Sequence, residues 1–168
     1  KPCGGIYSVD LNSEVEQALR AYQALFGPAL GAGASQHAVL SRLRAQALEV
    51  MRELECFDPL LTGPVLRGTA TPYSDIELML FADSQKDVEL HLLNRGMAYK
   101  TSEKRFRFGD SWRMAPLLLL SDSGAAEVRL AIFSVDDRKC LPLCPVDGRG
   151  TQGARLTEVQ ALLESEAP

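Results

Sequence analysis

Apolar and polar positions change period several times along the chain, and those changes mark its elements. Val15, Leu19, Tyr22 and Phe26 recur at helical spacing behind Ser13, an N-cap with Glu16 three residues on, and Gly27-Pro28 stops that helix. Gly31 to Ser35 reads as a small-residue loop. Ser35 then caps a second helix with apolar positions Val39, Leu40, Leu43, Ala47, Val50, Met51 and Leu54, ended by Asp58-Pro59. Leu60–Leu66 predicts a short strand running into a turn, and Ile76–Ala82 a stronger strand. Asp83 or Ser84 caps a helix through Val88, Leu90, Leu92 and Leu93, closed by Gly96. Met97–Phe108 is extended, Gly109-Asp110-Ser111 is a hairpin-like turn, and Arg113–Ser121 is a strand that buries Leu117–Leu120. Ser123-Gly124 turns the chain into a last strand, Glu127–Val135. Lys139–Gly153, rich in proline, glycine and cysteine, reads as an irregular tail lying on the domain, and Thr157 as the cap of a final helix with Val159, Leu162 and Leu163.

This order predicts an α/β (α+β) fold with a mixed sheet rather than a strictly alternating parallel one. A chain of 168 residues has room for one compact domain. Residues 1–58 would be N-terminal helices packed on a core at 59–135, with the tail and last helix at 136–168. The net charge of −4 argues against general nucleic-acid binding, though a local basic patch stays open. Four cysteines are too sparse for a disulfide scaffold, so reduced thiols in a cytoplasmic protein are expected. No apolar run reaches transmembrane length and no signal peptide is recognised, so no membrane partner is expected. The start at Lys1, without methionine, reads as a trimmed fragment.

The most informative stretch is Leu61–Leu78. A glycine turn follows an apolar strand, a short helix-like segment opens, and Asp75 and Glu77 arrive two apart on a second strand. Strand side chains alternate, so the two acids share a face. Such a pair suits a divalent metal held against a triphosphate. The plainer alternative is the solvated face of an edge strand.

Gly63, Arg67-Gly68-Thr69 and Ser74-Asp75-Ile76-Glu77-Leu78 resemble the signature of the polymerase-beta-like nucleotidyltransferase superfamily. That signature runs from a hydrophobic residue through Gly-Ser and a stretch often holding Arg-Gly-Thr or Arg-Gly-Ser to Ser-Asp-Ile-Asp-Leu. The close match covers Leu61–Ala82, and the element order extends it to Gln36–Val135. The resemblance implies a nucleotidyltransferase-like mixed sheet flanked by helices. It also implies Mg2+-dependent transfer of a nucleoside monophosphate from an NTP such as ATP to a hydroxyl acceptor. Asp75 and Glu77 would hold the magnesium, with Glu127 as third catalytic acid. Gly63, Pro64, Arg67, Gly68, Thr69 and Ser74 would surround the phosphates, with a helix N-terminus after Gly63 aiming N–H groups at them. The acceptor implied is an aminoglycoside-type alcohol, a protein side chain or an RNA end.

Three departures point to a second reading. Pro64 stands where the signature has serine, and proline offers neither hydroxyl nor N–H to a phosphate. It is compatible with a first helical turn, so the fold survives while the phosphate grip weakens. Glu77 replaces the usual aspartate and moves the ligand by about a bond length, which octahedral magnesium tolerates poorly. The third acid belongs on the strand at Ala126–Ser134, where Glu127 and Arg129 share the face opposite Val128, Leu130 and Ile132. Arg129 falls nearer the expected spot by register, and a guanidinium there would bridge to Asp75 and compete with a metal. The second reading is therefore a catalytically degenerate regulatory or interaction protein with a protein partner, by analogy a small bacterial-type, antitoxin-like one.

Other groups are weighed against plain structural roles. Lys100, Lys104, Arg105, Arg107 and Arg113 interleave with Tyr99, Phe106, Phe108 and Trp112. They make either a phosphate- or RNA-contacting ribbon, or a hairpin with Phe106 and Phe108 inward and Arg105 and Arg107 in water. Alternation accounts for the hairpin completely, and Arg105 and Arg107 still have the option of facing the acids. Cys140 and Cys144 with His37 or His91 are a weak zinc pattern beside the simpler reading of ordinary thiols. No Ser/His/Asp or Cys/His arrangement is supported by the sequence.

Overall fold

The computed structural model describes residues 32–121 and 126–166, together with 17, 18 and 21. Its first complete element is α1 (Ala32–Glu53). Leu40, Leu43, Ala47, Met51 and Leu54 recur at three- and four-residue steps, and all are buried. The helix starts at Ala32, so the expected loop over Gly31–Ser35 and the cap at Ser35 are corrected. Ala32 and Ala34 are the strongest helix formers and outweigh Gly33. Of the expected helix at Val15–Phe26, Gln17, Ala18 and Ala21 are helical and exposed; the rest lies outside the described residues, as does the Ser123-Gly124 turn.

A 3-10 turn at Glu55–Phe57 and a left-handed Asp58 (φ 54°) lead into β1 (Leu60–Thr62). This strand is shorter than expected. Gly63 at φ +74° breaks the extended chain, and Gly63–Arg67 coils into the short α2 with Pro64 in its first turn. Then come β2 (Ile76–Phe81) and α3 (Gln85–Asn94), whose cap Ser84 accepts a hydrogen bond from the Lys86 N–H. The hairpin β3 (Tyr99–Phe108) and β4 (Ser111–Leu120) follows. Next is β5 (Val128–Phe133), ended by Ser134, which forms a capping box with Asp137 over a 3-10 turn at Val135–Lys139. The last helix is α4 (Leu156–Glu166). Thr157 is inside it and does not cap it; the Glu158 carboxylate accepts from the Arg155 N–H at 2.7 Å instead.

The strands form one sheet in the order β1-β2-β5-β4-β3. Only β2 and β5 are parallel; every other neighbouring pair is antiparallel. The fold is thus a mixed α+β one. The central strands are buried on both faces. One face carries Ile76, Leu78, Leu80, Leu118, Val128, Leu130 and Ile132, and joins α1, Val88 and Leu92 of α3, and Val159 of α4 in the main core. The opposite face holds Met79, Phe81, Ala115, Leu117, Ala131 and Phe133, with Phe106, Phe108 and Leu141 against them. Among the described residues, the tail before α4 covers this second face, through Leu141 and the segment beyond it, and no helix does. Among the described residues no helix is long and apolar enough to cross a membrane.

Candidate functional site

Polar side chains of α1 hold the loops that build the site. Gln36 donates to the Ala70 carbonyl at 2.6 Å. The buried Arg44 donates from Nε to Val65 O and from Nη2 to Leu66 O, both at 3.1 Å, and so caps the last carbonyls of α2. Gln46 donates to Ala126 O at 2.8 Å and accepts from Ala126 N at 3.2 Å, which fixes the chain entering β5. These residues escaped the sequence reading because each contacts backbone groups far away in the chain. A buried arginine in an otherwise apolar helical stripe was the one available signal.

The loop after β1 meets β2 at Gly63. A Cβ placed there would lie 2.5 Å from Oε2 of Glu77 and 3.0 Å from its Cδ. The carboxylate of Glu77 therefore rests on the bare face of the glycine. No hydrogen bond or ion pair engages that carboxylate among the described residues.

Asp75 is held differently. Glu77 on β2 pairs in register with Arg129 on the parallel β5, and paired residues project to the same side. From there Arg129 Nη2 reaches Asp75 Oδ2 at 2.7 Å, while its Nε donates to Glu127 Oε1 at 3.2 Å. One guanidinium thus bridges the acid before β2 and the acid before β5. The three groups keep a third or slightly more of their side-chain surface in water.

Beside this bridge a cleft of about 370 Å³ opens over the second sheet face. Thr62, Gly63, Pro64, Arg67, Glu77 and Met79 form one wall. Lys104, Arg105, Phe106, Arg107 and Trp112 form the other, and the tail from Leu143 to Thr151 closes it. The tail is docked by Leu143 N–H to Arg107 O at 2.6 Å and by Leu61 and Ala154, which exchange backbone hydrogen bonds at 2.8 and 2.9 Å. Arg67 Nη1 approaches the buried Cys144 Sγ at 3.6 Å.

The structure distributes the expected residues unequally. Gly63, Pro64, Arg67, Glu77, Arg105 and Arg107 reach the cleft; Asp75, Glu127, Gly68, Thr69 and Ser74 do not line it. Gly68 is the left-handed C-cap of α2. Thr69 is buried, and Ser74 Oγ accepts from the Thr71 N–H at 2.8 Å in a local turn. The hairpin reading of the basic segment holds, and Arg105 and Arg107 also border the cleft beside Glu77. Phe106 and Phe108 pack on Phe133, while Arg105 and Arg107 are exposed, with Arg105 stacked 4.5 Å over Trp112. Lys104 shares the inward side with Phe106, as strand alternation dictates, and is a further cation lining the cleft.

No family model matches the sequence, and neither a curated protein nor a solved structure matches it.

The geometry bears directly on magnesium. Octahedral Mg2+ takes one or two carboxylates with free oxygens and open water positions. Here Asp75 and Glu127 are both engaged by Arg129, and among the described residues Glu77 has no partner for its carboxylate. Among the described residues no group of three His, Cys, Asp or Glu side chains is arranged around a common point. Cys140 and Cys144 likewise belong to no such group with either histidine. The residues present do not fit a magnesium pair. The cations of Arg67, Lys104, Arg105 and Arg107 line the cleft together with the Glu77 carboxylate.

Proposed function

We propose that this chain is a catalytically degenerate nucleotidyltransferase-like protein. Its cleft takes the phosphate tail of a nucleoside triphosphate on protein cations, without magnesium, and the protein serves a regulatory or interaction role. The observation that carries this reading is the 2.7 Å bridge from Arg129 to Asp75, which occupies the place where transfer chemistry would need metal-binding carboxylates. The resemblance in Leu61–Ala82 is supported by the order of turn, short helix and acid-bearing strand, and by the contact of Gly63 with Glu77.

Titration calorimetry with ATP and GTP, with and without magnesium, tests the reading. Metal-independent binding that weakens in Arg67→Ala and Lys104→Ala is expected. Absence of binding would overturn it. Binding that demands magnesium and disappears in the Asp75→Asn/Glu77→Gln variant would overturn it in favour of Mg2+-dependent transfer to a hydroxyl acceptor.

A further inference from the structure

Away from the cleft, the 3-10 turn after α1 and the middle of α3 bring together a cysteine and a histidine 35 residues apart in sequence. Cys56 Sγ lies 3.9 Å from Nδ1 of His91. The other ring nitrogen, Nε2, lies 2.6 Å from the Glu53 carbonyl oxygen. A carbonyl only accepts, so Nε2 carries the hydrogen and neutral His91 turns the lone pair of Nδ1 toward the thiol. The Phe57 ring meets the imidazole edge-on at 5.4 Å and holds its plane. Nucleophile, base and a third group that orients the base are the parts of an activated thiol. Cys56 is exposed, so a reagent can reach it.

We propose that Cys56 is a reactive thiol, with His91 as its base, and that it undergoes exchange with low-molecular-weight disulfides. Among the described residues, neither Cys56 nor His91 lines the cleft over the second sheet face, where an acyl substrate would be enclosed. Attack on sulfur needs only a thiolate and access. The proton of Cys56 passes to His91 Nδ1, and Sγ attacks one sulfur of R–S–S–R. The reagent's S–S bond breaks as the new Sγ–S bond forms. The departing RS⁻ takes the proton back from the imidazolium. The products are one mixed disulfide on Cys56 and one RSH, so electrons and protons balance with no further oxidant. Charged neighbours of the pair include Glu53, ion-paired with Arg95 at 2.9 Å, Glu55 in the same turn, Asp58, bonded to Arg138, and Asp87, one helical turn before His91.

Cys140 is exposed too and supplies an internal standard. The test is the rate of mixed-disulfide formation on each cysteine with cystamine, followed by peptide mass spectrometry on the full chain. An unassisted thiol is about 3% ionised at pH 7, which limits the gain from a base to about thirtyfold. Cys56 is expected to react about tenfold faster than Cys140 at pH 7. His91→Gln keeps an N–H for the Glu53 carbonyl but carries no base. It should remove that advantage at pH 7 and leave the Cys56 rate unchanged at about pH 10, where a thiol ionises without help. Equal rates at Cys56 and Cys140, or an unaltered Cys56 rate in His91→Gln at pH 7, would overturn the proposal. A uniform loss across both pH values would assign His91 a packing role and overturn it as well.

Discussion

Arg129 spans the parallel β2–β5 pair to donate to Asp75 at 2.7 Å, and in the same geometry holds Glu127 at 3.2 Å. A partly exposed ion pair of this kind contributes little to folding, roughly 0.2–1 kcal/mol. Its consequence is chemical: it ties up two carboxylates that would otherwise be free ligands. Arg129→Asp should therefore convert the bridge into an acidic cluster. In millimolar magnesium the melting temperature of this variant should rise, while that of the unaltered protein stays put. A magnesium response in the unaltered protein would contradict the geometry.

The cleft's cations predict how it treats anions. A hydrogen bond to a charged group contributes about 1.5–3 kcal/mol, or roughly ten- to a hundredfold in affinity. Lys104→Ala should weaken metal-free ATP binding by about that factor. Arg105→Ala, whose guanidinium is committed to the Trp112 face, should weaken it less. Increasing salt should reduce binding in both, because the attraction is screened. Calorimetry across a salt series checks all three.

Gly63 has two reasons to be glycine, and they separate experimentally. Its φ of +74° costs an L-residue about 1–2 kcal/mol. An added Cβ would also crowd the Glu77 carboxylate, which is the far end of a flexible side chain. Gly63→Ala should lose about that 1–2 kcal/mol in urea denaturation. Adding Glu77→Ala should recover only a small part of the loss, since the backbone term remains.

Arg44 is expected to matter for stability more than any surface charge. It is 5% exposed and donates to two backbone carbonyls of α2. Arg44→Met preserves most of the packing but strands those acceptors, at a cost of about 3 kcal/mol. Chemical denaturation measures this. A change below about 0.5 kcal/mol, the range of ordinary surface substitutions, would mean that the carbonyls find other donors.

The α3 cap gives a local check. Ser84→Ala removes the acceptor for the Lys86 N–H and should cost about 1 kcal/mol. Ser84→Asp restores an acceptor and should recover it, as read by thermal unfolding.

Most of the elements were determined by local pattern, because periodicity and turn residues report on neighbours in sequence. The strand Ile76–Phe81, the Ser84 cap and the Gly109-Asp110 turn need no distant partner to be recognised. The closeness of residues 63 and 77, and the bridge from Arg129 to Asp75, were legible for the same reason: two short segments with strong alternation carry them. Where helix formers met a small-residue stretch, at Ala32–Ser35, the local signal misled.

Only the tertiary structure decided what fills the space between segments. The helices described gather on one sheet face, and an irregular tail walls the cleft on the other. Arg44 and Gln46 grip loops 20 to 80 residues away. The tail closes a cleft over Lys104, and Cys56 finds His91. Sequence order constrains a residue's secondary structure through its own backbone. It leaves the partner of a side chain open, because that partner is set by how strands register and helices pack once the chain has closed on itself.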